Sequence, residues 1–357
     1  MKKQFVKILS LCVLGAATIF VSCDKDEDDE KPEVKTEKRV YFLNEGSWGA
    51  NNSTLDVYYP DGENTYQSKI FASANGQGLG DTGQDLLTYG NRIYVSVWGS
   101  NYLAKLDQKG KIVEKYEFSA EEGQPRQLAA KDGFIYVSTY GSKVIKFDTA
   151  AIVAPKGSVE VGPHPEEICI SGNTLYAAIA GDYTVAYDST LAVVDLATFS
   201  LKDKIVVGLD PTNVVALGDN LYVIHYDTAT WAQEILEVNT TAKNSTVFDG
   251  GVKMATDGES LYYVKSYTDY SDYPNTKTVT SFAKKDSNAS PLDLTATPEL
   301  SSATVYLFVI DPENGDFYVG TTDYVTNGVI YRFDKDGKFI TKFETSGISP
   351  NSAAFLK

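Results

Sequence analysis

Short segments in which apolar and polar residues alternate follow one another through residues 38–357, and helical periodicity is almost absent. Alternation with a period of two, interrupted by turns, predicts half-buried β-strands. One pattern recurs in these segments: a turn, then Val, Ile, Leu or Phe, and then Tyr. It occurs seven times, at Tyr41, Tyr94, Tyr136, Tyr176, Tyr222, Tyr262 and Tyr318. The sequence therefore predicts an all-β chain built from seven repeats of about 46 residues.

The stretch between the second and third of these tyrosines shows the content of one repeat. Strands are predicted at residues 92–97, 103–107 and 112–118, and a Gly-Gln-Pro turn at 123–125 leads into a fourth strand at 127–130. We name the four strands a to d from the inside of a repeat outwards. Strand a follows the proline, strand b carries the Tyr, strand c ends in Asp, and strand d is outermost. Four strands in about 46 residues are typical of one blade of a β-propeller.

The two ends of the repeat region complement each other. The first repeat begins directly with its strand b, whereas residues 350–357 read as a strand a that no further repeat follows. Pairing of this last strand with the first repeat would close the ring and remove the sheet edges that promote aggregation. We therefore predict a seven-bladed β-propeller of four-stranded blades over residues 38–357, with the C-terminal strand closing blade 1. An open array of six and a half blades is the alternative.

The blade pattern resembles that of the YncE-like, or YVTN, propellers. Their blades read Leu-Tyr-Val, a turn, apolar-x-apolar-Asp, and then Val-Gly-x-x-Pro. The matching pieces here include Leu221-Tyr222, the strand that ends in Asp195, and Val161-Gly162-Pro163. This motif is specific for the fold and not for a ligand.

Residues 1–22 are predicted to be a lipoprotein signal peptide. Three lysines precede an apolar run at residues 8–21 that is too short to span a bilayer comfortably. The run ends in Ser22-Cys23, which resembles a lipobox, and Phe20 is a bulky residue that lipoproteins of the Bacteroidetes tolerate there. Diacylation of Cys23 would give a stable membrane anchor. An ordinary cleaved signal peptide with an unrelated cysteine is the alternative.

Residues 23–37 are predicted to be the lipidated cysteine followed by a solvated tether. Residues 24–30 read Asp-Lys-Asp-Glu-Asp-Asp-Glu, and such a charged stretch cannot bury a core. It resembles the signal that sends Bacteroidetes lipoproteins to the outer face of the outer membrane. The whole chain has a formal net charge of −16, which argues against nucleic acid as a partner. Two histidines and three cysteines exclude a Cys/His zinc site and a disulfide framework.

The connections between strands b and c are predicted to be long loops rich in aromatic residues, at 44–52, 98–101, 181–188, 225–231, 266–275 and 322–327. Because antiparallel strands alternate in direction, the b–c and d–a connections emerge at one end of the ring, and the shorter a–b and c–d turns emerge at the other. All three tryptophans fall in b–c connections. Large rings that merely cap the blades are one interpretation, and a face that binds a large, flat or amphipathic ligand is the other. The candidate ligand-binding residues are Trp48, Trp98, Arg126, Tyr140, Tyr183, Tyr187, His225, Tyr226, Trp231, Tyr267, Tyr270 and Tyr324.

Taken with the leader and the acidic tether, the whole chain resembles the BtuG-like surface lipoproteins. This resemblance implies a non-catalytic protein at the cell surface that binds cobalamin (vitamin B12) and related corrinoids tightly. It also implies a partner, a BtuB-type TonB-dependent transporter of the outer membrane. An adhesion module that binds a glycan or a protein through the same face is the alternative function.

Several polar residues are predicted on the same face. They are residues 77–84, Gln124, Arg126, His164, Glu166, Asp210 and Asn213. Arg126 would either meet a ligand phosphate or pair with a carboxylate of a neighbouring blade. His164 and His225 would form hydrogen bonds rather than ligate cobalt. Cys169 lies in an alternating strand a and is predicted to be a small buried hydrophobe.

Motifs of the common enzyme classes are missing from the sequence. It contains no G-x-S-x-G elbow, no H-E-x-x-H, no P-loop and no dinucleotide fingerprint. The acidic residues at 269–272 lack the spacing of a calcium loop. We therefore expect neither catalysis nor a catalytic cofactor nor a bound metal ion, with cobalamin as a ligand only.

Overall fold

Seven antiparallel sheets follow one another around a ring in the computed structural model, which describes residues 37–62, 65–272 and 276–356. The first three blades contain β1 (Arg39–Asn44), β2 (Thr54–Tyr58), β3 (Tyr66–Gln67), α1 (Ile70–Asn75), β4 (Gly83–Tyr89), β5 (Arg92–Val97), β6 (Tyr102–Leu106), β7 (Ile112–Glu117), β8 (Pro125–Lys131), β9 (Phe134–Thr139), β10 (Lys143–Asp148) and β11 (Ala151–Glu160). The predicted seven-bladed β-propeller is confirmed. The predicted leader, Cys23 and the tether up to residue 36 lie outside the described residues.

The remaining strands continue in the same order around the ring. They are β12 (Pro165–Ser171), β13 (Thr174–Asp182), β14 (Ala186–Asp195), β15 (Ser200–Val206), β16 (Leu209–Leu217), β17 (Asn220–Tyr226), β18 (Gln233–Asn239), β19 (Asn244–Gly250), β20 (Lys253–Thr256), β21 (Leu261–Asp269), β22 (Lys277–Lys284), β23 (Thr304–Ile310), β24 (Phe317–Thr322), β25 (Val329–Phe333), β26 (Phe339–Glu344) and β27 (Pro350–Leu356). Among the helices of these described segments, none is long and apolar enough to cross a membrane.

The last strand closes the ring, as predicted. Strand β27 pairs antiparallel with β1, so that Phe355 lies opposite Val40, and the sheet of blade 1 has the order β27-β1-β2-β3. The same strand also contacts blade 2, because the Ser352 hydroxyl accepts a hydrogen bond from the backbone N–H of Leu86 at 3.1 Å. Thr88 donates to the Phe355 carbonyl at 2.6 Å. The C-terminal strand is therefore an inner strand of blade 1 and a neighbour of blade 2.

The repeated tyrosines belong to the cores between blades. All seven lie in strand b, and each is at most 9% exposed. Tyr94 of blade 2 packs in one cluster with Leu103 of its own blade and with Ile135 and Phe147 of blade 3. A large ring at this position therefore joins the facing sheets of two adjacent blades by apolar contact.

The aspartates that end strand c stabilise the turn that follows. Asp107 accepts hydrogen bonds from the backbone N–H groups of Lys109 and Lys111, at 2.8 and 2.9 Å. Asp334 accepts in the same way from Asp336 and Lys338 at 3.0 and 2.9 Å. A side-chain acceptor two to four residues ahead of the donor fixes a tight turn. This part of the repeat pattern is structural.

Blade 6 departs from the predicted pattern. Its sheet contains three strands in the order β20-β21-β22, and no fourth strand pairs with β22 among the described residues. Two short 3₁₀ helices, Leu294–Ala296 and Pro298–Ser302, follow instead. Pro291 and Pro298 lie in this segment, and proline cannot donate to a strand ladder. The prediction of four strands in every blade is therefore wrong for blade 6.

Ring closure predicts the effect of a C-terminal truncation. Removal of residues 350–357 takes the inner strand from blade 1, exposes the edge of β1 and removes the side-chain contacts to β4 of blade 2. We expect the thermal unfolding midpoint to fall by at least about 10 °C and the protein to self-associate. Circular dichroism and size-exclusion chromatography measure both effects. The control lacks Lys357 alone, and a truncated protein as stable and monomeric as this control would contradict the role given to β27.

Candidate ligand-binding face

Breaks in strand register open the inner strands at one end of the ring. In β8 the pairing with β9 passes from Pro125 to Leu128, and in β12 the pairing with β13 passes from Pro165 to Ile168. Similar breaks occur near the start of β4, β16, β23 and β27. A β-bulge bends a strand and gives the residues within it a new direction. Each bulge therefore frees one to three side chains from the regular alternation.

Side chains from these bulges line a cavity of about 460 Å³ on the ring axis, which we call the central cavity. All seven inner strands contribute to its lining. Its polar residues include Glu45, Gln84, Asp85, Arg126, Gln127, Glu166, Glu167, Thr212, Asn213, Gln233, Lys253, Asn351 and Ser352. The cavity is therefore rich in amide and charged groups, unlike the apolar cores between the blades.

Arg126 connects three blades at the central cavity. Its Nε donates to Oε2 of Glu166 in blade 4 at 2.9 Å, and Nη2 contacts the same oxygen. Its Nη1 donates to Oε1 of Gln84 in blade 2 at 2.6 Å. The nearby Glu166 carboxylate holds the pKa of the Arg126 guanidinium above its usual value, against the effect of burial. Of the two roles predicted for Arg126, the structure places it in the ion pair with a neighbouring blade.

Two further carboxyl groups and an amine lie deep in the central cavity. Burial raises the pKa of Glu167, and the nearby Asp85 raises it further, while Lys253 acts in the opposite direction. Burial also raises the pKa of Asp85 and lowers that of Lys253. Asn213 donates to Oε2 of Glu167 at 3.3 Å. Both carboxyl groups therefore retain protons to a higher pH than exposed carboxyl groups do.

The exposed aromatic residues of the described chain lie on b–c connections or on the parts of strands b and c next to them, at the end of the ring where the bulges open. We call this surface the aromatic face. Its exposed rings are Trp48, Tyr183, Tyr187, Trp231, Tyr267, Tyr270 and Tyr324. Large exposed aliphatic residues are found elsewhere as well, for example Val113, Leu201 and Ile340 on the outermost strands. Exposed aromatic side chains of the described chain are therefore confined to the b–c end of the blades.

Four predicted site residues share one pocket on the aromatic face, with a volume of about 270 Å³. We call it the aromatic pocket. It is lined by Tyr140, His164, Glu166, Ala180, Gly181, Tyr183, Tyr187, Asp210, Thr212 and Tyr226. The hairpin between β13 and β14 forms one side, because the strands stay paired out to Asp182 and Ala186 and Tyr183 lies at the tip. Tyr187 therefore belongs to a strand, whereas the sequence predicted a loop at 181–188.

Ring contacts fix the walls of the aromatic pocket. Tyr140 stacks on His164 with ring centroids 4.2 Å apart, and its hydroxyl donates to Oε1 of Glu166 at 2.5 Å. The half-buried Trp98 meets Tyr140 edge to face at 6.3 Å. On the opposite side, Trp231 contacts Tyr187 at 5.8 Å and Tyr226 at 6.4 Å. The structure thus brings together Trp98, Arg126, Tyr140, Tyr183, Tyr187, Tyr226 and Trp231.

The other predicted residues lie apart from the aromatic pocket. Trp48 belongs to blade 1, Tyr267 and Tyr270 belong to blade 6, and Tyr324 of blade 7 packs edge to face against Tyr306 at 5.8 Å. Tyr267 lies within β21, whereas the sequence predicted a loop at 266–275. A separate cavity of about 560 Å³ opens between blades 7 and 1. It is lined by polar groups of residues 51–54, 326–327 and 346–347 and by the apolar side chains of Leu55, Phe71, Leu79 and Val325.

Two predictions about individual side chains need correction. His225 was predicted in a loop of the face, but it lies within β17 and is 8% exposed, with Nε2 3.5 Å from Oε2 of Glu234. The alternation of β17 continues through this residue, so the hairpin begins later than predicted. Cys169 lies in β12 and packs against an apolar cluster, although its side chain is only partly buried. Burial raises the pKa of this thiol.

Sequence reasoning missed several residues of the central cavity, among them Asp85, Glu167 and Lys253. A signal for Glu167 was present, because Pro165 is followed by two adjacent glutamates where an inner strand should alternate apolar and polar residues. Two consecutive charges at the start of an apolar strand indicate a bulge. Lys253 carries no comparable signal, since a lysine at the start of a strand is commonly exposed.

The chain matches no family model and no curated protein sequence. Solved structures with the same fold include hydrazine synthase of Kuenenia stuttgartiensis, at 14% identity and TM-score 0.60 over 76% of this chain and 89% of that chain. Apo AztD from Citrobacter koseri matches at 10% identity and TM-score 0.51 over 90% and 98%. Streptogramin B lyase matches at 14% identity and TM-score 0.51 over 76% and 86%. These likenesses show a β-propeller fold, which is compatible with a binding module.

The raised pKa of Glu167 predicts a pH-dependent gain in stability for Glu167→Gln. Because the folded state raises the pKa of this carboxyl group, its ionisation destabilises the folded protein as the pH rises above its usual value. We expect the thermal midpoint of the variant to exceed that of the parent by about 3 °C or more at pH 8. The difference should shrink towards pH 4, where the carboxyl group is protonated in both states.

The matched control for this prediction is Glu259→Gln, which changes an exposed carboxylate at the other end of the ring. Differential scanning calorimetry from pH 4 to pH 9 measures both variants. An unchanged or lower midpoint for Glu167→Gln at pH 8 would show that ionised Glu167 is stabilised in the folded state.

Proposed function

We propose that this protein is a non-catalytic, surface-anchored binding protein that captures cobalamin and related corrinoids on its aromatic face. In this proposal it passes them to a TonB-dependent transporter of the outer membrane. Cys23 carries the lipid anchor, and residues 24–37 form the tether that holds the propeller away from the membrane. The resemblance of the whole chain to BtuG-like lipoproteins supports the choice of ligand, partner and location.

The single observation that carries the binding role is that the exposed aromatic rings of the described chain all lie at the b–c end of the blades. Seven exposed Trp and Tyr side chains lie there in the described chain. Trp231 contacts both Tyr187 and Tyr226, so part of this surface is contiguous, and contiguous exposed apolar surface marks interaction sites. Tyr and Trp offer broad contact area, a polar tip and little loss of side-chain entropy on binding. Such a face suits a ligand that is large and amphipathic.

The chemistry of a corrinoid matches the aromatic face and the central cavity together. The flat corrin ring would lie against aromatic side chains around the mouth, such as Trp98 and Trp231. The carboxamide arms would meet the amide groups of the central cavity. Asn213 and Asn351 each have a buried Oδ1 without a hydrogen-bond partner among the described residues, and these oxygens can accept from a carboxamide N–H.

A glycan-binding adhesion module is the second candidate function. The 560 Å³ cavity between blades 7 and 1 favours it, because Asn51, Asn52, Thr326 and Asn327 line this cavity with amide and hydroxyl groups. Hydroxyl-rich ligands are recognised by such donors and acceptors beside an aromatic ring. Trp48 belongs to the same b–c connection as the two asparagines.

The decisive experiment is binding of cyanocobalamin to protein that lacks residues 1–37. Retention of the pink colour through a desalting column is the first readout, and isothermal titration calorimetry is the second. Binding at micromolar concentration or tighter supports capture of corrinoids. Binding of an oligosaccharide array without affinity for cyanocobalamin would favour the adhesion module instead.

Tryptophan substitutions test whether the aromatic face contacts the corrinoid. We expect Trp98→Ala and Trp231→Ala each to weaken cobalamin binding by about 2 kcal/mol, because an aromatic anchor at an interface centre carries that much. Titration calorimetry gives the affinity, and circular dichroism confirms that each variant is folded. Asn91→Ala, at the opposite end of the ring, is the control and should bind like the parent. Equal losses in all three variants would refute the face assignment.

A further inference from the structure

Five of the ten residues that line the aromatic pocket carry rings. The side chains of Tyr140, Tyr183, Tyr187, Tyr226 and His164 surround a volume of about 270 Å³. Pockets for drug-sized ligands occupy roughly 300–1,000 Å³. The aromatic pocket is therefore sized for a small molecule or for one end of a larger molecule.

The charge inside the pocket is negative and only partly compensated. Glu166 pairs with Arg126 and accepts the hydroxyl of Tyr140. The Asp210 carboxylate makes no hydrogen bond or ion pair with any residue that the structure describes. No Lys or Arg lines the pocket. A carboxylate without a cation therefore shares the pocket with five aromatic side chains, and burial and the nearby Glu166 both raise its pKa.

A metal ion does not fit this arrangement. Calcium takes six to eight oxygen ligands and magnesium demands octahedral oxygen geometry, and no cluster of three or more potential ligands occurs among the described side chains. The faces of Tyr rings instead attract cations whose hydration is weak, and this attraction is strongest when water is excluded. A compact ammonium is strongly hydrated and loses more on entering such a site.

We propose that the aromatic pocket binds a small, weakly hydrated organic cation of the trimethylammonium type. The rings of Tyr187 and Tyr226 contact the methyl groups, and the carboxylate of Asp210 neutralises the charge. This site goes beyond the capture of corrinoids and does not depend on it, because a small cation alone is sufficient to test it.

The test compares choline with its neutral isostere 3,3-dimethylbutan-1-ol on the whole propeller, by titration calorimetry at low ionic strength. The two molecules have the same shape, so a difference in affinity reports the charge. We expect choline to bind at least about tenfold more tightly. Equal affinities would mean that the pocket is only hydrophobic, and no choline binding up to about 10 mM would mean that it is not a ligand site; both results overturn the proposal.

The variant Asp210→Asn tests whether the carboxylate of Asp210 provides the negative charge that binds choline. Asp210 has a left-handed backbone with φ of 51°, which Asn tolerates well, so the variant should fold. We expect at least about tenfold weaker choline binding and unchanged binding of the neutral isostere. Asp272→Asn removes an exposed charge from the b–c connection of blade 6 and is the control. An equal loss of choline affinity in both variants would show that choline responds to the overall negative charge of the aromatic face. That result would contradict the specific role given to Asp210.

A second variant, Tyr187→Leu, tests the rings independently of the carboxylate. Tyr187 is 41% exposed at the end of a hairpin, so its replacement should not disturb the core. Leucine keeps an apolar wall but removes the negative face of the ring. We expect choline binding to weaken by about threefold or more while binding of the neutral isostere stays the same. Unchanged choline affinity would show that Tyr187 does not contact the cation.

Discussion

Antiparallel pairing between the C-terminal strand β27 and the first strand β1 is the constraint on which the rest of the molecule depends. An inner strand supplied from the far end of the chain fixes the position of blade 1 against blade 2, through Ser352 and Thr88. Only in a closed ring do all seven inner strands begin around one axis. The central cavity and the convergence of the b–c connections on one face both follow from that closure.

The Arg126–Glu166 ion pair links the central cavity to the aromatic pocket. A buried ion pair contributes little net stability, because desolvation of both charges offsets their attraction. The ion pair instead orients Tyr140. Glu166 accepts a hydrogen bond from the Tyr140 hydroxyl, and Arg126 lies over the face of the Tyr140 ring, 4.8 Å from its centroid. Tyr140 is thus held on two sides and stacks on His164 on a third. Residues of the cavity therefore determine how a wall of the pocket is oriented.

Much of the fold follows from the sequence, because its determinants are local and repeated. The buried tyrosine of strand b and the aspartate after strand c recur at fixed places, and the unmatched strand at 350–357 predicts closure. The prediction of a fourth strand in blade 6 is wrong, because prolines occur where the alternating pattern of a strand was expected. At the site, the b–c tyrosines were recognisable by type, whereas Lys253 was not recognised and His225 was recognised as a candidate but not as a buried residue. Their environments depend on neighbouring blades and on hairpin length, which no local pattern encodes.

The bulges that open the inner strands have a consequence for how such proteins diversify. Within a bulge, one to three residues leave the ladder, so their side chains can change without loss of strand pairing. Blades 2, 3 and 4 illustrate this freedom, with Gln84, Arg126 and Glu166 at equivalent places. In a ring of this kind, the bulge residues of the blades surround a common axis, and each of them can be substituted separately. New ligand specificities can therefore arise by point substitution while the scaffold stays constant.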